Sequence, residues 1–83
     1  MTSKHTLDLR GVISPLNLLK CKNYLASMKP DEVLDVFLAD TDVVKDLIII
    51  VKKSRDRVMY QKNEADYICL GIKKGEKTQW PEF

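Results

Sequence analysis

Histidine occurs once, cysteine twice, and glycine and proline three times each in this chain of 83 residues. With His5 as the lone imidazole and no Cys/His cluster, a zinc site of the usual ligand set has almost no support in the sequence. Cys21 and Cys69 stand far apart, too few for a disulfide-stapled secreted scaffold, which points to a reducing cytoplasm. The longest apolar run, Leu47 to Val51, is far below the roughly twenty residues of a membrane span. The first ten residues hold no apolar stretch of signal-peptide length, so no secretion signal is expected. Neither sign of charge dominates: 14 Lys and Arg face 12 Asp and Glu, a net charge of +2 that does not argue for nucleic acid by itself. Sparse punctuation and the absence of any repeat or low-complexity tract leave no linker, so the chain is one domain.

The residues that are present alternate and repeat in a definite order. Thr6–Arg10 sets Leu7 and Leu9 against Asp8 and Arg10, the period of a half-buried strand. Gly11 ends it. Ser14 and Pro15 then form a helix start, serine as N-cap and proline at the first helical position. Leu18, Cys21, Leu25 and Met28 fall on one stripe of that helix, and Lys29-Pro30 stops it. Glu32–Ala39 alternates again and is rich in valine and phenylalanine, which favours a strand. Asp40, Thr41 and Asp42 cap a second helix, Val43 to Lys53, with Val44, Leu47, Ile48 and Val51 as its apolar stripe. Ile49 and Ile50 exceed one face and keep a strand reading of Leu47–Val51 open as the alternative. Arg57–Lys62 and Ala65–Lys73 read as two further strands joined by a turn at Asn63-Glu64. In the last strand Ile68, Leu70 and Ile72 face inward and Cys69 faces away. The core therefore covers about residues 6–74, with a loose tail over 75–83 in which Trp80 either folds back or offers a contact.

The order β-α-β-α-β-β implies an α/β two-layer sandwich: a four-stranded mixed sheet with two helices on one face. The two helical crossovers should be right-handed, and the last two strands a hairpin.

The stretch L-D-L-R-G-V-I-S-P-L-N-L-L-K-C-K-N-Y-L, Leu7 to Leu25, resembles the signature of the TusA/SirA-like sulfur-carrier family. In that pattern, L-D-x-R-G-L-x-C-P-x-P, the residues Leu7, Asp8, Arg10, Gly11 and Pro15 match and Val12 is a conservative fit. Lys20 and Lys22 match basic helix positions, and M-K-P-D-E-V-L-D-V continues the likeness over about seventy residues. The resemblance implies a persulfide relay: a cysteine before the proline, at a helix N-terminus, accepts sulfur and passes it on, as in tRNA thiolation or sulfur oxidation. The free N–H groups of a helix N-terminus and nearby lysines stabilise a thiolate or perthiolate.

This chain carries Ser14 at the acceptor position and Asn17 at the motif's second proline. A serine hydroxyl forms no persulfide, and a helix dipole worth about 1 kcal/mol shifts a pKa by less than one unit. Ser14 therefore reads as a helix cap. A hydrolase built on it would need a general base, and His5 could reach it only if the amino-terminal segment rearranged. Cys21, on the apolar stripe, reads as core; Cys69, off the core face, is the more exposable of the two alternative thiols. Asp8 and Arg10 share a strand face, as a surface ion pair or as a brace for the loop before Ser14.

Three functions follow from these residues. The first is a family member without the acceptor cysteine that binds or regulates a partner in sulfur traffic: a cysteine desulfurase, a sulfurtransferase or a membrane transporter of sulfur compounds. The second is active sulfur transfer through Cys69 or Cys21. The third is a small RNA-binding module, if Lys52, Lys53, Arg55 and Arg57 converge with Lys73, Lys74 and Lys77. No reading calls for a cofactor or a metal.

Overall fold

The structure, a computed structural model, describes residues 4–76 and Trp80. Its elements are β1 (Lys4–Asp8), α1 (Leu16–Ser27), β2 (Val33–Leu38), α2 (Thr41–Lys53), β3 (Arg57–Asn63) and β4 (Ile68–Lys73). This is the β-α-β-α-β-β order of a two-layer α/β sandwich. The four strands form one mixed sheet in the order β1-β2-β4-β3. β1 and β2 are parallel, with Leu7 opposite Val36, and β4 pairs antiparallel with both β2 and β3.

Alternation drives the layering. Leu34, Val36 and Leu38 of β2 and Ile68, Leu70 and Ile72 of β4 turn to one face and are buried. Both helices lay their stripes on that face: Leu18, Cys21, Leu25 and then Met28 from α1 and its C-cap, and Val44, Leu47 and Val51 from α2. Fully burying an aliphatic side chain of this size contributes about 1.5–3 kcal/mol. The strand alternative for Leu47–Val51 does not occur. Asp40 caps α2 by accepting the Asp42 N–H at 2.8 Å, and Lys52 and Lys53 complete its last turn.

Several boundaries differ from the sequence expectation: α2 starts two residues earlier, at Thr41, β2 is one residue shorter at each end, β3 runs one residue further, to Asn63, and three more differences have a local cause. The first strand starts and ends two residues earlier, because after Leu9 N–H bonds Phe37 O, the Arg10 N–H turns back to Asp8 and the Val12 N–H to Leu9 O. The last strand begins at Ile68 rather than Ala65, since Glu64 N–H and Tyr67 O close the hairpin turn at 2.8 Å. The first helix is not capped by Ser14: Pro15 occupies the N-cap and makes no side-chain capping bond. Nearby donors are satisfied otherwise, Asn17 N–H by Ile13 O, Leu18 N–H by Asn17 Oδ1 and Leu19 N–H by Pro15 O, so the serine hydroxyl has no capping role.

Of the two places left open for Trp80, the structure shows the first: it folds back onto the domain. Trp80 is only 6% exposed and joins the core. Its indole Nε1–H donates to Asp56 Oδ2 at 3.0 Å, while Gly75 N–H donates to Asp56 Oδ1 at 2.8 Å. Asp56 is itself 3% exposed, so this carboxylate ties the segment after β4 to the turn after α2. Residues 77–79, Lys77 included, and 81–83 lie outside the described residues.

Replacing Asp56 by Ala leaves one buried donor, Trp80 Nε1–H, and one part-buried donor, Gly75 N–H, without their acceptor. Hydrogen bonds to a charged group contribute about 1.5–3 kcal/mol each, partly shared here, so Asp56→Ala should lower unfolding free energy by roughly 2–4 kcal/mol. Urea denaturation measures the loss, and Trp80 fluorescence should shift to the red in the folded variant. An unchanged midpoint and emission would show that Asp56 does not hold the segment.

Candidate functional site

The loop from Leu9 to Pro15 leaves the carboxyl end of β1 and delivers the chain to α1. Leu9 anchors it in the core at 3% exposure. Gly11 adopts a positive φ of 81°, the left-handed region where a Cβ is strained, so glycine suits the turn. Beyond it Ser14 is exposed, with Ile13 77% and Leu16 46% exposed on either side of the Ser14-Pro15 pair. Two large apolar side chains thus flank an exposed hydroxyl where the loop enters the helix. Their periodicity carries the signal: neither falls on the Leu18/Cys21/Leu25 stripe.

Asp8 and Arg10 form the ion pair that their spacing suggested, and they brace this loop. The guanidinium grips the carboxylate with two bonds, Nε to Oδ1 at 2.9 Å and Nη2 to Oδ2 at 2.8 Å, and the Arg10 N–H adds a third at 3.0 Å. Arg10 also lies 5.3 Å from the centroid of the Tyr67 ring, which packs edge-on against Phe37. Sequence reasoning missed these two aromatics as supports, because the contact joins residues far apart in the chain. The Arg10 side chain, followed by its backbone N–H, draws the Asp8 carboxyl down to about 2.

No side chain among the described residues hydrogen-bonds the Ser14 hydroxyl. His5, the one candidate base, is engaged elsewhere: Nδ1 lies 3.3 Å from the Tyr24 hydroxyl and Nε2 lies 3.2 Å from Glu32 Oε2. A serine hydrolase therefore has no assembled base here. Asn17 is buried at 2% and bonds the Leu18 N–H, so it shapes the first turn of α1 from within. On α1, Lys20 is exposed and Lys22 partly buried.

Neither thiol is an open site. Cys21 is fully buried, and burial pushes its thiol up to about 12, which keeps it protonated. Cys69 is not the exposable thiol that strand alternation suggested, since it is only 7% exposed. Although it faces away from the helices, it sits on an interior strand, in register with Phe37 on one side and Lys62 on the other. Among the described residues no group of three or more His, Cys, Asp or Glu could hold a metal ion, and no helix is long and apolar enough to cross a membrane.

The basic residues named from the sequence divide. Arg55 and Arg57 meet Lys73 and Lys74 around one cleft at the opposite end of the sheet from Ser14. Lys20 and Lys22 stay on α1.

Comparison with known proteins gives the following likenesses. The family model described as Sulfurtransferase TusA matches residues 5–74. A protein named sulfur carrier protein TusA from Allochromatium vinosum is 34% identical over 68 residues, covering 82% of this chain and 90% of that protein. A Bacillus subtilis protein named putative sulfur carrier protein YrkI is 25% identical over 75 residues, covering 90% of this chain and all of that one. The crystal structure of a SirA-like protein from Desulfitobacterium hafniense superposes with a TM-score of 0.68 at 18% identity, over 89% of this chain and 100% of that one, a likeness of fold.

The depressed Asp8 value has a signed consequence. A carboxylate lowered by folding stabilises the native loop above its unfolded value, about 3.9, and that contribution disappears as pH falls through about 2. An NMR titration should find the Asp8 midpoint near 2 and, in Arg10→Ala, return it toward about 3.9. An Asp8 midpoint indifferent to Arg10→Ala would remove the ion pair as the brace.

Proposed function

Because this chain belongs to the TusA sulfurtransferase family, we propose that it is a member without the usual persulfide-accepting cysteine and acts as a binding or regulatory partner in sulfur transfer. The resemblance aligns Ser14 with the family's acceptor. The observation that carries the reading is the exposed Ser14, flanked by exposed Ile13 and Leu16, on a loop whose Asp8–Arg10 brace and Gly11 turn are intact. An exposed apolar pair suits docking, and a hydroxyl takes no sulfur. The burial of Cys21 and Cys69 weighs against a displaced acceptor, because a relay sulfur must reach successive partners as a thiolate.

The partner's chemistry follows from the family. A cysteine desulfurase or a sulfurtransferase presents a persulfide-bearing loop to such a surface, and a transporter of sulfur compounds is the third candidate. The protein would occupy that loop without accepting its sulfur, and so block or position it for another acceptor. Lys20 and Lys22 would contribute to the docking field from α1. The site of action would be the cytoplasm, where the persulfide is generated.

Two measurements separate loss of the nucleophile from loss of the site. Ser14→Cys, treated with a persulfide donor, should gain the mass of one sulfur at residue 14 by intact and peptide mass spectrometry. Titration of the wild-type chain with a cysteine desulfurase and with a sulfurtransferase should show binding to at least one, weakened about tenfold or more by Leu16→Asp. No binding to either partner or to a sulfur transporter, together with a Ser14→Cys variant that takes up no sulfur, would overturn the proposal.

A further inference from the structure

At the far end of the sheet from Ser14, Arg57 opens β3 and Lys73 closes β4, and the two are direct cross-strand partners. Like charges directly opposite each other in an antiparallel pair destabilise it unless an anion lies between them. Arg55 and Lys74 adjoin them around a cleft of about 720 Å³, and a second cleft of about 610 Å³ shares Arg55 and Arg57 and adds Lys52. Both volumes lie in the range of small-molecule sites.

Lys74 is itself buried at 5% exposure, so the accessible cations are Arg55, Arg57 and Lys73, and the nearby described acids do not neutralise these three. Asp31 reaches the Lys73 ammonium at 3.6 Å and Glu76 reaches Arg55 at 3.6 Å, but all four side chains are well exposed, and such pairs contribute little. Asp56, the third carboxylate, faces inward and is committed to Gly75 N–H and Trp80 Nε1–H. Arg57 makes no ion pair among the described residues. Among the described residues the lining contains no aromatic side chain, so these offer no stacking surface for a base.

We propose that this basic cleft is a binding site for a compact polyanion with adjacent oxyanion groups, of the pyrophosphate type. Two guanidinium groups present forked N–H donors that match tetrahedral oxyanions, and Lys73 adds a point charge from the facing strand. The site is independent of the loop around Ser14, and binding there would relieve the Arg57–Lys73 repulsion. The absence of a stacking surface among the described lining residues favours this ligand class over a single-stranded RNA.

The test is an NMR titration of the full chain with sodium pyrophosphate at low salt, read at backbone amides and arginine Nε–H groups. Saturable shifts should centre on Arg55, Arg57 and Lys73. Arg57→Gln, an exposed change that spares the fold, should weaken affinity by about tenfold, whereas Asp31→Asn combined with Glu76→Gln should tighten it several-fold. Asparagine tolerates the positive φ of 72° at position 31. The proposal is overturned if shifts fail to saturate, if they are as strong at Lys20 and Lys22, if Arg57→Gln binds as well as wild type, or if a single-stranded RNA oligonucleotide binds the cleft more tightly than pyrophosphate.

Discussion

One layer contact holds this protein together: the apolar face of a four-stranded sheet against the stripes of two helices. A domain this small has apolar material for one such contact and little else. Leu34, Val36, Leu70 and Ile72 supply the sheet side, and Leu25, Leu47 and Val51 the helix side, all fully buried. Trp80 closes one margin of the contact through Asp56. Chemistry that needs exposure is therefore left to the loops and to the sheet ends.

That constraint sorts the reactive groups. Cys21 belongs to the α1 stripe and is shielded by the contact itself. Cys69 lies on the other face, yet an interior strand with partners on both sides buries it as well. The loop before α1 has Asp8 and Arg10 paired outside the core and Gly11 to let the chain turn sharply, and its residues 13–16 beyond stay exposed. What it presents is Ser14 between Ile13 and Leu16. The fold and the loop are those of the TusA family, while the group at the tip is a hydroxyl. The result is one end with an exposed loop that presents Ser14, and a basic end, around Arg57 and Lys73, separated from it by the length of the sheet.

Much of this is legible in the sequence because local periodicity and the layer contact agree. The alternation of Val33–Leu38 and the three-four-three spacing of Leu18, Cys21, Leu25 and Met28 fix strand, helix and core face together. The Asp8–Arg10 pair is legible because alternate residues in a strand share a face. What is hidden depends on contacts between distant segments. Trp80 is buried by a carboxylate 24 residues earlier, which no local pattern reveals. Cys69 is buried because β4 is central in the sheet, a matter of strand order rather than alternation. Ser14 looks like a helix cap by residue type, but Asn17, Ile13 and Pro15 already supply acceptors to the N–H groups at the start of α1.

The central claim is that this family member carries no transferable sulfur of its own. Incubating the native wild-type chain with a persulfide donor and weighing it intact tests this most directly. The account predicts an unchanged mass for the folded protein, with modification of Cys21 and Cys69 appearing only after denaturation. A stable gain of one sulfur on the folded wild type, mapped to either cysteine, would contradict it.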